Sequence, residues 1–442
     1  MRIKVAFTLI GLCASMLLQA QEKTFSLDEA VAYAYEHNRD MKNAYYEISK
    51  ASQDVKKQVA SGLPQINAQV QYQNFLALPV SLIPAEFFGG QPGEFAEVQF
   101  GTSNNLNASI TGTQMIFNGN YFVGLKAAEM YKDLSQKQYE ASKFEVRATV
   151  AKAYYGVLIT RKSIEILEQN LKTLEDIHRE TRAMFEEGFV EEIEVDRLYL
   201  SLSTLRQQLE TLKRQEKLSL GLLKFQMGYP YEDEIVLSDS ISDFASADLT
   251  LLESSAAFEH TLQNDILNQS ISLTGLNIKN LKAGYLPRAD LFISATENAQ
   301  RNEFNFFDKN QPWYETAVWG VTLNIPIWDS FLKRAGIQKE EINQRQMINK
   351  RDQAAEAYKM QIEQRKADYL DAGEQLENAR SNMELAGKIF DISVKKYEEG
   401  VGSSLEVDNA RSTYFNSSSM YINALYRMLL AKVELEKLLE IK

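Results

Sequence analysis

Apolar and polar positions follow two rhythms along this chain, and each rhythm occurs in both halves. Ile66, Ala68, Val70 and Tyr72 alternate with Asn67, Gln69, Gln71 and Gln73. That two-residue period predicts a strand with one apolar and one amide face. Leu106, Ala108 and Ile110 against Asn107, Ser109 and Thr111 repeat it, as do Leu291, Ile293 and Ala295, and then Ala317, Trp319, Val321, Leu323 and Ile325, with Thr322 and Asn324 on the polar side. Strands are expected at about 65–76, 104–117, 289–299 and 315–328. Between the first two, Ala77 to Ser103 carries Pro79, Pro84, Pro92, Gly89, Gly90 and Gly93 and reads as a long irregular loop; Asn302 to Tyr314 is its shorter counterpart.

The second rhythm is helical. Ser26-Leu27-Asp28-Glu29 is a capping box opening a helix to about His37, with a further helical run to about Ser61. Tyr121 to Glu187 and Lys333 to Glu399 contain no proline, and about 67 residues at 1.5 Å each reach roughly 100 Å. Ile164, Leu167, Leu171, Leu174, His178, Thr181 and Phe185 step by three and four, and so do Leu198, Leu202, Leu205, Leu209 and Leu212 beyond Gly188. The two seams predict an antiparallel coiled-coil hairpin closed at Gly188. A second hairpin is expected around Gly400, with a weaker seam of Ala, Ser, Thr and Tyr from Ala410 to Ala424.

The halves are copies. Phe185-Glu186-Glu187-Gly188 recurs as Tyr397-Glu398-Glu399-Gly400 and Glu194-Val195-Asp196 as Glu406-Val407-Asp408, both at an offset of 212 residues. Gly62-Leu63-Pro64-Gln65 matches Tyr285-Leu286-Pro287-Arg288, and Met115-Ile116-Phe117-Asn118-Gly119 matches Pro326-Ile327-Trp328-Asp329-Ser330. Such a period is too long for a solenoid repeat and predicts two units packed side by side. Arg2 and Lys4, the apolar run Val5 to Leu18 and Gln19-Ala20-Gln21 form a signal peptide over 1–20, so the chain is exported and Cys13 leaves with the signal. Leu12 is too bulky for lipoprotein processing at Cys13. The expected organisation is signal 1–20, first repeat 21–229, an equatorial connecting segment 230–262 and second repeat 263–442, with hairpin tips near 188 and 400.

The charge of −12 argues against nucleic acid as a partner. A mean hydropathy of −0.32, with no apolar stretch near 20 residues after Leu18, excludes a polytopic helical membrane protein. His37, His178 and His260 are the only histidines; no H-E-x-x-H, phosphate loop or mature cysteine accompanies them. No catalytic residue, cofactor or metal is expected.

A strand with an amide face and an apolar face suits a wall between water and lipid, or a half-buried soluble sheet. In an exported chain with four such strands, the membrane wall is the better account. Four strands cannot close, and unpaired edges cannot stand in hydrocarbon. Other copies must complete the wall, and a cyclic trimer with twelve strands is the simplest closure.

The sequence resembles the TolC family of outer membrane efflux and secretion ducts over essentially the whole mature chain. The resemblance rests on Leu27-Asp28-Glu29-Ala30 with Asn38, on Gly62-Leu63-Pro64 and Tyr285-Leu286-Pro287, on Ile325-Pro326-Ile327-Trp328-Asp329 and on both Gly-centred tips. Ser330 stands where the family usually has glycine. The resemblance implies an α+β membrane protein, a duplicated unit of two strands plus a long helical hairpin. It implies a homotrimer whose 12-stranded outer membrane β-barrel continues into a periplasmic α-helical barrel. Implied partners are outer membrane lipid, a periplasmic adaptor (membrane fusion protein) and an inner membrane pump or type I secretion transporter.

Carboxylates crowd both tips: Glu191, Glu192, Glu194 and Asp196 at the first, Glu406 and Asp408 at the second. Rings of them about a threefold axis would attract cations, although solvated hairpin tips carry the same residues. Glu194 and Glu406 match an acidic position of the family, which makes them gate candidates with Asp196 and Asp408. Gly188, Phe189 and Val190, with Gly400, Val401 and Gly402, match the tip segments that meet an adaptor. Asn67, Gln69, Gln71, Asn107, Ser109, Thr111, Thr322 and Asn324 are the expected lumen lining. A periplasmic coiled-coil adaptor or scaffold is the competing reading, but adaptors carry one hairpin flanked by compact β domains. A stand-alone porin would leave the long helical arms without a purpose.

Overall fold

The structure, a computed structural model, describes residues 23–246, 250–254 and 257–441; the expected signal peptide lies outside the described residues. In chain order the elements are β1 (Lys23–Phe25), α1 (Leu27–His37), α2 (Arg39–Ala60), β2 (Gln65–Asn74), β3 (Val80–Pro84), β4 (Phe95–Gln99), β5 (Asn104–Phe117), α3 (Gly119–Glu186), α4 (Glu192–Met227), β6 (Ile235–Leu237), α5 (Thr250–Glu253), α6 (Leu262–Ala283), β7 (Arg288–Arg301), β8 (Tyr314–Asn324), α7 (Leu332–Glu398) and α8 (Ser404–Leu438). The run α2-β2-β5-α3-α4 is repeated as α6-β7-β8-α7-α8, the duplication seen in the sequence. Two compact units draw on both copies: one takes the chain up to Ile48, Ser135–Leu267 and Lys350 onward, the other Ser49–Leu134 and Asn268–Asn349.

The second of these units holds a four-stranded sheet in the order β2-β5-β7-β8, antiparallel throughout. The central strands β5 and β7 have 14 residues each, and a bulge between Met115 and Phe117 bends their pairing. Strand β8 ends at Asn324 instead of continuing to 328. Pro326 has no N–H to donate, and Ser330 and Phe331 turn the chain with φ of 52° and 67° into the left-handed region before α7. Ser330 therefore sits in a conformation that disfavours a side chain by about 1–2 kcal/mol. The expected irregular loop 77–103 contains a hairpin of its own: Val80 to Pro84 pair with Gln99 to Phe95. Its glycines and prolines mark turns within and beside that hairpin and do not abolish it.

The helical unit is built around residues 146–158 of α3, where Val146, Ala148, Val150, Ala151, Ala153, Tyr154, Tyr155, Val157 and Leu158 are all buried. A helix apolar around more than half of its circumference must be enclosed on those sides. Here α1, the end of α4, Tyr369, Ala372 and Leu376 of α7, and Leu425, Met428 and Leu429 of α8 enclose it. The capping box of α1 forms as expected, with Glu29 N donating to Ser26 Oγ at 3.3 Å and Ser26 N to Glu29 Oε2 at 2.8 Å. β1 pairs in parallel with β6. Just beyond β6, Asp239 Oδ2 accepts from Leu27 N at 2.8 Å and from the Tyr154 hydroxyl at 3.0 Å. Burial, with the Asp239 hydrogen bond and charge added, pushes the Tyr154 phenol above its ordinary value. The connecting segment thus pins the start of α1 to the centre of α3.

Toward the tips, Leu167, Leu174 and Ile177 of α3 pack with Leu198, Leu202, Leu205 and Leu209 of α4, and Phe390, Tyr397, Val407 and Ala410 join the same core. Two seam positions depart from expectation. Phe185 is exposed and His178 half-buried, its ring 6.3 Å from that of Tyr199, while Ile177 takes the core position. Over several turns a helix of 3.6 residues per turn drifts off a 3.5-residue seam.

Candidate gate at the hairpin tips and the amide face of the sheet

Both hairpins turn by the same device. Gly188 and Gly400 have φ of 78° and 75°. At the first tip Phe189 N donates to Met184 O at 2.8 Å and Gly188 N to Phe185 O at 2.9 Å; at the second Val401 N donates to Lys396 O and Gly400 N to Tyr397 O. This pair of bonds satisfies carbonyls at the helix end and requires a left-handed residue, which glycine supplies. The turns leave apolar side chains in solvent, with Phe189 80 % and Val401 75 % exposed.

The acidic candidates divide into two sets. Glu194 pairs with Arg197 at 3.3 Å, and Glu406 with Lys396 at 3.3 Å. Asp408 pairs with Arg411 at 2.8 Å and also accepts from Ser201 Oγ at 3.1 Å. Glu191, Glu192 and Asp196 have no ion-pair partner among the described residues and are exposed. Glu192 and Glu194 lie in the first turn of α4, where the helix dipole favours negative charge.

Sequence reasoning missed the residues that join the two hairpins. Thr181 Oγ1 lies 2.5 Å from the Tyr397 hydroxyl, with both residues buried, and links α3 to α7. Ser201 and Asp408 link α4 to α8. Arg411, also missed, is buried at a core-facing position of α8 with Asp408 three residues before it, a spacing visible in the sequence.

The sheet keeps its predicted polar face. Asn67, Gln69 and Gln71 of β2 stand opposite Thr111, Ser109 and Asn107 of β5, which in turn stand opposite Ser294, Thr296 and Asn298 of β7. Thr111 and Ser294 are hydrogen-bonded at 3.0 Å. Thr322 and Asn324 oppose Asp290 and Arg288, an ion pair at 2.7 Å on the same face. All eight lumen candidates therefore share one face, to which the structure adds Arg288, Asp290 and Phe292. The other face shows Ile66, Val70, Ile110, Ile293, Trp319, Val321 and Leu323, all exposed. From Leu323 to Ala317 this apolar band runs roughly 20 Å along the strand, and Glu297 opposite Glu315 ends it. Among the described residues, strands β2 and β8 are unpaired along their outer edges. No described helix is long and apolar enough to cross a membrane.

A family model described as outer membrane efflux protein matches residues 31–228 and 266–439. No curated protein matches the chain. Among solved structures, CusC, crystallised in a study of its folding and transmembrane channel formation, is 14 % identical over 94 % of this chain and 92 % of its own, with a TM-score of 0.71. The CmeC outer membrane channel of Campylobacter jejuni is 16 % identical, covering 93 % and 85 % with a TM-score of 0.67. The outer membrane protein VceC of Vibrio cholerae is 13 % identical, covering 93 % and 95 % with a TM-score of 0.66. At these identities what is shared is the fold.

Proposed function

The chain belongs to the outer membrane efflux protein family, a family of transport channels and not a class of enzymes, and from that premise we propose that three copies join edge to edge into a passive duct. Efflux across the outer membrane is the work of the family, with its helices in the periplasm. The observation that carries the trimer is the pair of open edges. Going round the sheet the strands alternate in direction, so β8 of one copy beside β2 of the next continues the antiparallel order. Every backbone group in the hydrocarbon then finds a partner. Three copies give twelve strands with the amide face inward and the apolar band against lipid. A twelve-stranded barrel continued by a helical barrel is the architecture this supports.

The duct does no chemistry of its own. In this reading the tips bind a periplasmic adaptor through Gly188, Phe189 and Val190 and through Gly400, Val401 and Gly402, and an inner membrane pump or secretion transporter supplies the energy. The exposed Phe189 and Val401 support that role, since apolar side chains held in solvent by a tight turn favour burial against a partner. Opening requires the two hairpins of each chain to part at the tip. The carboxylates there set the ion preference of the mouth, with Glu191, Glu192 and Asp196 free to act on passing ions and Glu194, Glu406 and Asp408 held in pairs.

The test is the mass of the mature protein extracted from outer membranes in mild detergent, by light scattering with the detergent subtracted. Three times the chain mass is expected, together with recovery of an adaptor on the trimer. A monomer would mean that the edges are closed in some other way and would overturn the trimeric duct.

A further inference from the structure

The returning helices of the two hairpins, α4 and α8, differ in the residues they bury. At the offset of 212, Leu198, Leu202, Leu205, Leu209 and Leu212 of α4 become Ala410, Tyr414, Ser417, Tyr421 and Ala424 of α8. α8 also buries a second face, through Val407, Arg411, Ser418, Ile422 and Leu425. The α4 equivalents of the last four are Tyr199, Arg206, Glu210 and Lys213, which are all exposed. On this second face a serine stands at a core position between larger residues. A cleft of about 520 Å³ opens there between α4 and α8, with α3 as its floor.

The lining is uncharged throughout. Ile159, Ile166, Leu167, Phe415 and Ile422 form its apolar wall, and Gln207, Gln208, Thr211 and Asn423 stand exposed at its rim. Ser418, only 1 % exposed, lines the cleft with an Oγ that has no hydrogen-bond partner among the described residues. A buried hydroxyl left unpaired is destabilising by about 1–3 kcal/mol, so a group that bonds to it is favoured. The size, the apolar body and the few convergent polar groups are those of a small-molecule site. The absence of any charged side chain in the lining excludes an ion, whose desolvation nothing would offset.

We propose that this cleft binds a small uncharged amphiphile, with its apolar body on α3 and α8 and one polar group on Ser418. The test is fluorescence titration with N-phenyl-1-naphthylamine of the intact protein in neutral-lipid nanodiscs, empty discs serving as blank. Saturable binding of about one probe per chain is expected. Ser418→Leu, which fills the cleft, and Thr211→Trp, which blocks its mouth from an exposed position, are each expected to weaken it tenfold or more. Ser418→Ala, which keeps the space and loses the hydroxyl, should weaken it a few-fold. Should Ser418→Leu fail to fold, Thr211→Trp decides. No saturable binding by the wild type, or binding unchanged in Thr211→Trp, overturns the proposal. The sulfonated analogue 8-anilino-1-naphthalenesulfonate should bind at least tenfold more weakly, and equal binding would overturn the assignment to uncharged ligands. The titration reads binding alone and stands or falls separately from the trimeric duct.

Discussion

If the mouth opens by parting the two hairpins, the contacts joining them must resist it, and their removal has a calculable effect. Tyr397→Phe deletes the hydroxyl 2.5 Å from Thr181 Oγ1 and keeps the ring in place. Thr181 is not orphaned, because its hydroxyl also donates to Ile177 O at 2.8 Å. Ser201→Ala deletes the hydrogen bond to Asp408 and leaves the Asp408–Arg411 pair intact. A neutral hydrogen bond contributes about 1 kcal/mol net and one to a charged group about 1.5–3 kcal/mol. The double variant therefore loses roughly 3 kcal/mol of inter-hairpin attachment per chain, which at 1.4 kcal/mol per tenfold is about a hundredfold shift in the parting equilibrium. The apolar contacts of Phe390 and Val407 with the first hairpin remain, so the expected result is a larger open fraction and not a collapsed tip. Single-channel recording in planar bilayers measures it directly. A double variant with wild-type conductance and open fraction, and an unchanged melting temperature, would refute the tether argument.

Neutralising Glu194, Asp196, Glu406 and Asp408 together is expected to weaken cation preference in the same recordings, with Asp196→Asn accounting for the largest single part because the other three are already paired within the chain; unchanged selectivity would count against these residues as the gate. Gly228→Ala should destabilise by more than about 2 kcal/mol, since φ is 72° and the new Cβ would stand 2.4 Å from His37 O, whereas Gly188→Ala, with nothing within 4 Å, should lose only about 1 kcal/mol. Equal melting of the two variants would show that the corner between α1 and α2 yields. Burial by itself raises the Glu434 carboxyl, but the hydrogen bond from Lys152 and the charges of Lys152, Lys437 and Arg365 outweigh it and leave the group lowered. A lowered carboxyl contributes stability above its unfolded value of 4.5 that is lost as pH falls through the folded value. Glu434→Gln should therefore melt below wild type at pH 7, and the gap should narrow on acidification below pH 4.5; a gap constant with pH would show that the ion pairs are not its source.

What could be read from the sequence was what local spacing encodes. The two-residue alternation placed all eight lumen candidates on one face, because register in an antiparallel sheet carries that period from strand to strand. The proline-free stretches gave helices of 68 and 67 residues ending within one residue of expectation. What was not legible depended on partners distant in the chain. β1 and β6 are three residues each and acquire meaning only by pairing with each other across some two hundred positions. The hairpin of β3 and β4 was hidden because Pro84 and the surrounding glycines outweigh a short alternation such as Phe95-Ala96-Glu97-Val98. Thr181 and Tyr397 each look like an ordinary polar residue near a seam until their contact is seen.

The duplication itself explains why the site was harder to read than the fold. Matching the copies assumes that equivalent residues meet equivalent surroundings, and that holds for the turns at Gly188 and Gly400, whose two closing hydrogen bonds are equivalent. It fails along α8, which is buried on two faces where α4 is buried on one. A helix enclosed on both sides cannot keep unpaired exposed charges, so Arg206, Glu210 and Lys213 give way to Ser418, Ile422 and Leu425, while Tyr199 becomes Arg411. Arg411, the one charge among these four residues and uncharged in the first copy, is held by Asp408, which in turn holds Ser201 of the first hairpin. Along α8 the copies thus diverge where that helix is buried, and a sequence comparison that asks where the repeats disagree points to this packing more directly than one that asks where they agree.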